Sequence, residues 1–308
     1  MNYRITRRRF GQLAIAGTAV AGITYLANKT VAQTPNLVVV GASFGSLTSS
    51  DNTTATVLNT TEIGSETTDS VKPNLELLLP SLNVATAQVQ TPSPVQGVNI
   101  QSDEILSGFT SLNGTLILAV TPASTSNKGG DPTRLIFLST PSRTVTVSGL
   151  QQQEKLESLL GTNDGKLFGL VVRKSGRPPV KLVEINVQTG AITSSNNIIL
   201  PNNERFSTLA QCPDGKLYTT SVGRRGETNL VLLDRTQQKP GTAVELRFEG
   251  TVWNNGLQSL VCTNAGQLLA FGARRYETPY KLYTVNPSNG EMSLLTEFDT
   301  AVVTIVKV

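Results

Sequence analysis

Hydrophobic and polar positions along this chain alternate in a strand-like pattern that returns about every fifty residues. Each copy begins with an alternating segment, turns at a glycine and continues at once into a second alternating segment. The turn glycines are spaced by 51, 50 and 51 residues: Gly114, Gly165, Gly215 and Gly266. A period near fifty residues with strand content is typical of the blades of a β-propeller.

Two further columns support the repeat. An apolar residue stands nine positions before each glycine and a hydroxyl residue seven positions before it: Ile105, Leu156, Phe206 and Leu257, then Ser107, Ser158, Thr208 and Ser259. Three of the four turns carry Asn-Gly or Asp-Gly, which tight hairpins favour. Third and fourth strands follow in each copy, so we expect one blade in each of 101–150, 151–200, 201–250 and 251–300. We expect the hydroxyl column to hydrogen-bond the inner strands.

The two chain ends supply a further blade. Residues 301–308 read like a first blade strand, and Asn36 to Gly41 read like the second strand of the same blade. Joined to residues up to about 100, with outer strands at Asn74–Leu79 and Val84–Val89, they predict an all-β propeller of five four-stranded blades closed by pairing of the terminal strands. Residues 44–73 are either a mobile excursion or a hairpin around 54–63, so six blades are the alternative. A β-sandwich is less favoured because it requires no such period.

Charge does not point to nucleic acid. Five of the 26 basic residues lie in the first 32 positions, which contain no acidic residue, so 21 basic residues face 22 acidic ones in the remainder. The overall charge of +4 therefore belongs to the N-terminal segment. We expect no nucleic-acid partner.

The absence of histidine from the chain removes several chemistries. It excludes Ser-His-Asp and Cys-His catalysis and the commonest metal ligand. The two cysteines, Cys212 and Cys262, are separated by 50 residues, which is the repeat period and not a metal-binding spacing. Aligned on the glycines they stand one residue out of register, so we expect two packed thiols, with a disulfide as the alternative. We predict no catalytic residue set, no metal site and no cofactor.

The first 32 residues have the layout of a signal peptide. A basic start precedes a weakly apolar stretch from Leu13 to Leu26 and a small-residue ending at Ala32. The stretch is too short for a stable membrane anchor. A membrane anchor and a buried first helix are the alternatives. The division expected is a signal peptide at 1–32 and a propeller domain at 33–308.

The string Thr6-Arg7-Arg8-Arg9-Phe10 resembles the twin-arginine export motif, with Gly11 where Leu is common. The resemblance implies a bacterial protein exported already folded, to the periplasm or another extracytoplasmic compartment. It also implies that residues 1–32 engage the twin-arginine export machinery.

Three loops between second and third strands open with a basic doublet: Arg173-Lys174, Arg224-Arg225 and Arg274-Arg275. In a propeller these loops lie on one face with the connections between blades. We therefore predict an anion-binding face made by these six residues and Tyr276, suited to an anionic glycan, peptide or protein surface. The alternative is that the arginines only solvate the loops and pair with Glu227 and Glu277.

Strings such as Gly165-Lys166-Leu167-Phe168 and Gly215-Lys216-Leu217-Tyr218 resemble blade sequences of exported bacterial propellers, including lactonase-like and quinoprotein-like families. This resemblance implies the fold but no particular activity, because propellers include both enzymes and binding modules. The function we expect is non-catalytic binding of an anionic partner. The alternative is a histidine-independent lyase or hydrolase that uses Tyr276 or Tyr280 for proton transfer beside arginines.

Overall fold

A computed structural model describes most of the chain beyond the N-terminal segment. The described residues are 38–45, 74–90, 92, 94–101, 103–122, 132–174, 179–198, 204–234, 240–277 and 279–305. Every regular element among them is a β-strand, and no helix in these ranges could span a membrane. The signal peptide and the hairpin expected around 54–63 lie outside the described residues.

The strands follow one another in blade order along the chain. The N-terminal strands are β1 (Val38–Gly45), β2 (Asn74–Leu78), β3 (Ser81–Asn83), β4 (Gln88–Gln90) and β5 (Ile100–Gln101). Blade 1 contains β6 (Glu104–Leu112), β7 (Thr115–Pro122), β8 (Arg134–Leu138) and β9 (Arg143–Thr146). Blade 2 contains β10 (Glu154–Gly161), β11 (Leu167–Arg173), β12 (Val180–Ile185) and β13 (Ile192–Ile198).

The remaining strands complete the ring. Blade 3 contains β14 (Arg205–Gln211), β15 (Leu217–Val222), β16 (Thr228–Leu233) and β17 (Pro240–Glu245). The short strands β18 (Arg247–Phe248) and β19 (Thr251–Val252) lead into blade 4, which contains β20 (Ser259–Cys262), β21 (Leu268–Gly272), β22 (Lys281–Val285) and β23 (Glu291–Glu297). The last strand is β24 (Val302–Ile305). Each blade is an antiparallel meander.

The closing blade combines the two ends of the chain, as the sequence predicts. Strand β24 pairs antiparallel with β1, with Val303 opposite Gly41. Strand β1 then pairs with β2 and β3, which continue each other in one register, and β4 lies outermost. The described strands thus form a five-bladed ring. The outermost strand expected at Val84–Val89 was placed too early, because residues 84–87 form the turn before Gln88–Gln90.

Five separate hydrophobic cores lie between successive blades. Alternate residues of one strand enter different cores, because side chains alternate between the two faces of a sheet. In β7, Ile117 packs with blade 2, while Leu118 packs with the closing blade. Each blade therefore buries both faces against its neighbours.

The two cysteines form a disulfide, which corrects the expectation of packed thiols. Cys212 and Cys262 are bonded, with their Cα atoms 5.1 Å apart. The expectation treated the inner strands as neighbours in one sheet, where a one-residue offset turns side chains apart. The two strands instead belong to facing sheets. Cys212 points from blade 3 toward blade 4, and Cys262 points from blade 4 toward blade 3. Because successive residues of a strand point to opposite faces of the sheet, a one-residue offset in the repeat allows the two side chains to meet. Both cysteines lie in the core between these blades.

Connections between blades also protect sheet edges. Strand β18 adds in parallel to the outer strand β23 of blade 4, and Ser148 bridges in parallel to Ala191 of blade 2. The turn glycines Gly190 and Gly290 allow this approach, because a Cβ at either position would come within 2.2 Å of a backbone oxygen. The connection from blade 3 to blade 4 is thereby fixed at its outer end.

Closure of the ring makes a testable contribution to stability. Val303 in β24 is 1% exposed and packs in the core between blade 4 and the closing blade. Val303→Ala should lower the free energy of unfolding by about 2 kcal/mol through the cavity it leaves, as measured by chemical denaturation. Leu294→Ala, at a side chain that is 40% exposed, is the control and should change stability by less than about 0.5 kcal/mol. Equal stability of the two variants would contradict the closing role of β24.

The disulfide joins adjacent blades across 50 residues. Replacing both cysteines by alanine should lower the free energy of unfolding by about 2–4 kcal/mol, because the unfolded chain is no longer cross-linked. Denaturation with and without a reductant measures this. The reductant should shift the wild-type transition and leave the double variant unchanged; a wild-type transition that is insensitive to reductant in the unfolded state would be evidence against the bond.

Candidate functional site

Loops between second and third strands lie beside the connections that enter each blade, on what we call the upper face. At blade 2, the Lys174 N–H donates to the Gln153 carbonyl at 2.7 Å, which joins the end of β11 to the connection before β10. Arg173, the last residue of β11, is exposed there and Lys174 is half-buried. Lys128 and Arg177, which the sequence places in equivalent loops, lie outside the described residues.

The basic loops of blades 3 and 4 lie on either side of one connection. The Thr228 Oγ1 hydroxyl donates to the Asn255 carbonyl at 2.7 Å, and the Asn255 Nδ2 group donates to the Ala273 carbonyl at 2.8 Å. The connection that contains Asn255 therefore touches the ends of both loops. The structure thus places Arg224-Arg225 and Arg274-Arg275 around a common segment.

Arg224 and Arg225 are exposed, and neither guanidinium forms an ion pair with a described carboxylate. The carboxylate expected to pair with them is used elsewhere: Glu227 Oε2 accepts the backbone N–H of Arg225 at 2.9 Å. This hydrogen bond holds the Glu227 carboxylate against the backbone of its own turn. The two guanidinium groups are left directed to solvent.

Arg274 has a different environment from the other arginines. Its Nη2 donates to the Phe248 carbonyl at 2.8 Å, and its guanidinium carbon lies 4.6 Å from the centre of the Phe248 ring. Glu249 lies 3.9 Å from the same Nη2. Arg274 therefore holds the connection between blades 3 and 4, and its side chain is less available to a ligand than that of Arg275.

Arg275 and Tyr276 form an exposed pair. The guanidinium carbon of Arg275 lies 5.0 Å from the centre of the Tyr276 ring, within range of a cation–π contact. Tyr276 is 90% exposed and is the one exposed aromatic residue in the described part of the chain. Tyr280 is not part of this pair, because its ring packs on Phe271 with the centroids 5.5 Å apart.

An aromatic cluster lies in the core beneath these loops. Tyr283 contacts Phe248 and Trp253 edge to face, with centroids 5.1 and 5.2 Å apart. Burial, and then the negative charge of Glu277, raise the pKa of Tyr283 to about 12. Neither the Tyr283 hydroxyl nor the Trp253 Nε1 group has a hydrogen-bond partner among the described residues. The cluster is a rigid support for the loops.

Hydroxyl groups of the inner strands form hydrogen bonds within a blade and between neighbouring blades. Thr121 Oγ1 donates to Ser107 Oγ at 2.9 Å, and Ser259 Oγ accepts the Val303 N–H at 3.0 Å from the next blade. A central cavity lined by Ser107, Ser158 and Ser259 has about 20 Å³, room for about one water molecule. These contacts match the structural role expected for the hydroxyl column.

Sequence reasoning missed a column of glutamates at the start of the inner strands: Glu104, Glu154 and Glu204. Glu104 accepts the Gln101 N–H at 2.8 Å and pairs with Arg134 at 2.6 Å. Glu154 makes the corresponding two contacts: it accepts the Gln151 N–H and forms an ion pair with Lys181. The spacing of 50 residues was the available signal. The first two brace the entry of the chain into blades 1 and 2.

The described residues contain no group of three or more Asp, Glu, His or Cys residues that could hold a metal ion. The arrangement on the upper face is instead cationic and aromatic. Forked guanidinium groups bind carboxylate, sulfate or phosphate oxygens through paired hydrogen bonds. What this face offers chemically is therefore recognition of anions.

No protein-family model and no curated protein matches this chain. Its fold is similar to a protein of unknown function from Dyadobacter fermentans, with a TM-score of 0.50 and 9% identity over 76% of this chain and 75% of that one. A protein of unknown function from Bacteroides caccae has a TM-score of 0.45 and 9% identity over 89% of this chain and all of that one. A gluconolactonase from Xanthomonas campestris has a TM-score of 0.43 and 7% identity over 74% and 73% of the two chains. At these identities the likeness concerns the propeller fold alone.

The buried tyrosine predicts a pH dependence of stability. Between pH 10 and about 12 the unfolded chain loses the Tyr283 proton while the folded protein keeps it, so stability should fall as pH rises through this range. Tyr283→Phe should remove that part of the loss. At neutral pH it should cost little, because no described hydrogen bond to the hydroxyl is broken.

Denaturation curves of wild type and Tyr283→Phe from pH 7 to 12 measure both effects. Parallel losses of stability in the two proteins above pH 10 would contradict the raised pKa.

Proposed function

We propose that this protein is an exported, non-catalytic propeller that binds an anionic partner on its upper face, around the loops of blades 3 and 4. The observation that carries the proposal is the set of exposed guanidinium groups at Arg224, Arg225 and Arg275, which form no ion pair with a described carboxylate. Arg173 and Lys174 extend the basic surface at blade 2.

Local charge gives this face its selectivity. The chain beyond residue 32 has 21 basic and 22 acidic residues, so the basic loops stand out against a nearly neutral body. The carboxylates of these loops, Glu227, Glu249 and Glu277, reduce the field only in part, because they are three against the four arginines of the two doublets. Exposed charges of this kind attract an anion over about 10 Å at 0.1 M salt. Binding should therefore weaken as salt is added.

Geometry favours binding over the alternative of a lyase or hydrolase. A tyrosine that transfers a proton works best in a site that excludes water. Tyr276 is 90% exposed, and the Tyr280 ring is packed against Phe271. The central cavity of about 20 Å³ is too small for an organic substrate. The described residues thus offer a surface for a partner.

Export through the twin-arginine pathway to the periplasm or an equivalent compartment is part of the proposal. It rests on Thr6-Arg7-Arg8-Arg9-Phe10 and the apolar stretch that follows. The disulfide between Cys212 and Cys262 agrees with this location, because disulfides persist in oxidising compartments.

Replacing both arginines of blade 3 tests the basic face. Arg224→Ala with Arg225→Ala should weaken binding of poly-L-glutamate or heparin by about tenfold or more at low salt. It should also flatten the dependence of binding on salt concentration. Fluorescence anisotropy with labelled poly-L-glutamate and labelled heparin measures both, and the pair tests a polypeptide and a glycan source of negative charge.

The matched control removes the same charge from the opposite face. Lys166 and Lys216 follow the turn glycines and form exposed pairs with Glu184 and Asp214 at 3.3 and 2.7 Å. Lys166→Ala with Lys216→Ala should leave binding unchanged. If both double variants weaken binding equally, attraction is due to overall charge and the proposed face is wrong.

A further inference from the structure

Tyr276 adopts a backbone conformation that side chains rarely adopt. It is the third residue of the turn Arg274–Glu277, which is closed by a bond of 3.0 Å from the Glu277 N–H to the Arg274 carbonyl, and its φ is 72°. A positive φ at this position is normally supplied by glycine or asparagine, because a Cβ is disfavoured there. An aromatic residue at this point of a turn is strained.

The preceding repeat shows what the chain uses without that strain. Arg224-Arg225-Gly226-Glu227-Thr228 matches Arg274-Arg275-Tyr276-Glu277-Thr278 at every position but the third. Gly226 also has a positive φ, of 95°. Glycine thus provides the positive φ in the blade 3 loop, where the hydrogen-bonded turn, Gly223–Gly226, lies one residue earlier in the motif, and the matching motif position of blade 4 is a tyrosine.

The strained residue does not contribute to the core. Its ring is 90% exposed and contacts the Arg275 guanidinium, whose carbon lies 5.0 Å from the ring centre. The pair has no described role in folding that would explain the strain. Strained residues of this kind concentrate at binding and catalytic sites.

We propose that Tyr276 and Arg275 together are the anchor for an acidic polypeptide segment of a partner protein. The ring would cover an apolar side chain or peptide unit of the segment, while the guanidinium receives a neighbouring carboxylate. This proposal rests on the anion-binding face and names its partner and its anchoring residue.

Composition and layout favour a polypeptide over an acidic glycan. Tyrosine and arginine dominate the energetics of protein interfaces, where single exposed aromatic rings act as anchors. A glycan chain is held by a groove or by several rings that stack on successive sugars. The described part of the upper face has one exposed ring, and its other aromatic residues are packed inward.

Tyr276→Gly separates anchoring from folding. Glycine adopts the observed φ without strain, so the midpoint of thermal unfolding should be no lower than in wild type. Affinity for an acidic peptide of alternating glutamate and leucine should fall about tenfold or more. Tyr276→Phe should keep most of the affinity, because the ring remains. Leu294→Ala, at another exposed apolar side chain, is the control and should change nothing.

The outcomes distinguish this inference from the proposed function. If the Arg224 and Arg225 double variant loses binding and Tyr276→Gly does not, the anchor is wrong and the anion-binding face stands. If labelled heparin binds and the acidic peptide does not, the partner is a glycan and the inference is overturned. If neither probe binds wild-type protein at low salt, both the inference and the anion-binding face are overturned.

Discussion

Packing of sheet faces between neighbouring blades is the interaction on which this structure depends. Each blade exposes two apolar faces, and each face is buried only when another blade lies against it. Four repeats in an open row would leave two faces uncovered. The pairing of β24 with β1 completes a fifth blade and covers both. Stability is thus shared around the ring, and the last described strand, Val302–Ile305, matters as much as a strand in the middle of the chain.

The same geometry positions the candidate site. Blades that follow one another around a ring direct all their second-to-third loops to one face, so residues about fifty positions apart in sequence become neighbours. Between blades 3 and 4 this arrangement is reinforced from below by Trp253 and Tyr283 and laterally by the Asn255 bonds. Arg274 clamps the connection by its bond to Phe248. Rigid support of this kind lowers the entropic cost of holding exposed side chains ready for a partner.

The period of the chain was enough to predict the blades and their closure, because strand alternation and turn glycines are local signals. Features that depend on how neighbouring blades face one another could not be predicted from these local signals. Cys212 and Cys262 were expected to point apart, since a one-residue offset was judged by the rule for a single sheet, whereas they belong to facing sheets. Arg274 and Arg275 are equivalent by sequence pattern, and only the position of Phe248 gives the first a structural role. Glu104 and Glu154 could have been found from their spacing, but their partners Arg134 and Lys181 follow no fixed offset.

Differences between the second-to-third loops of blades 3 and 4 show where the fold leaves freedom for function. At Gly226 a Cβ would come within 2.4 Å of the Asn254 carbonyl, so the connection that crosses blade 3 excludes any side chain there. Tyr276, at the matching position of the sequence motif in blade 4, has no such cover, because it is 90% exposed. Packing therefore requires glycine at position 226 of blade 3 and permits other residues at position 276 of blade 4. Open space at this position does not by itself explain a large aromatic ring in a strained conformation, since glycine would fit at least as well. The choice of tyrosine at this uncovered turn is the reason to look for a partner there.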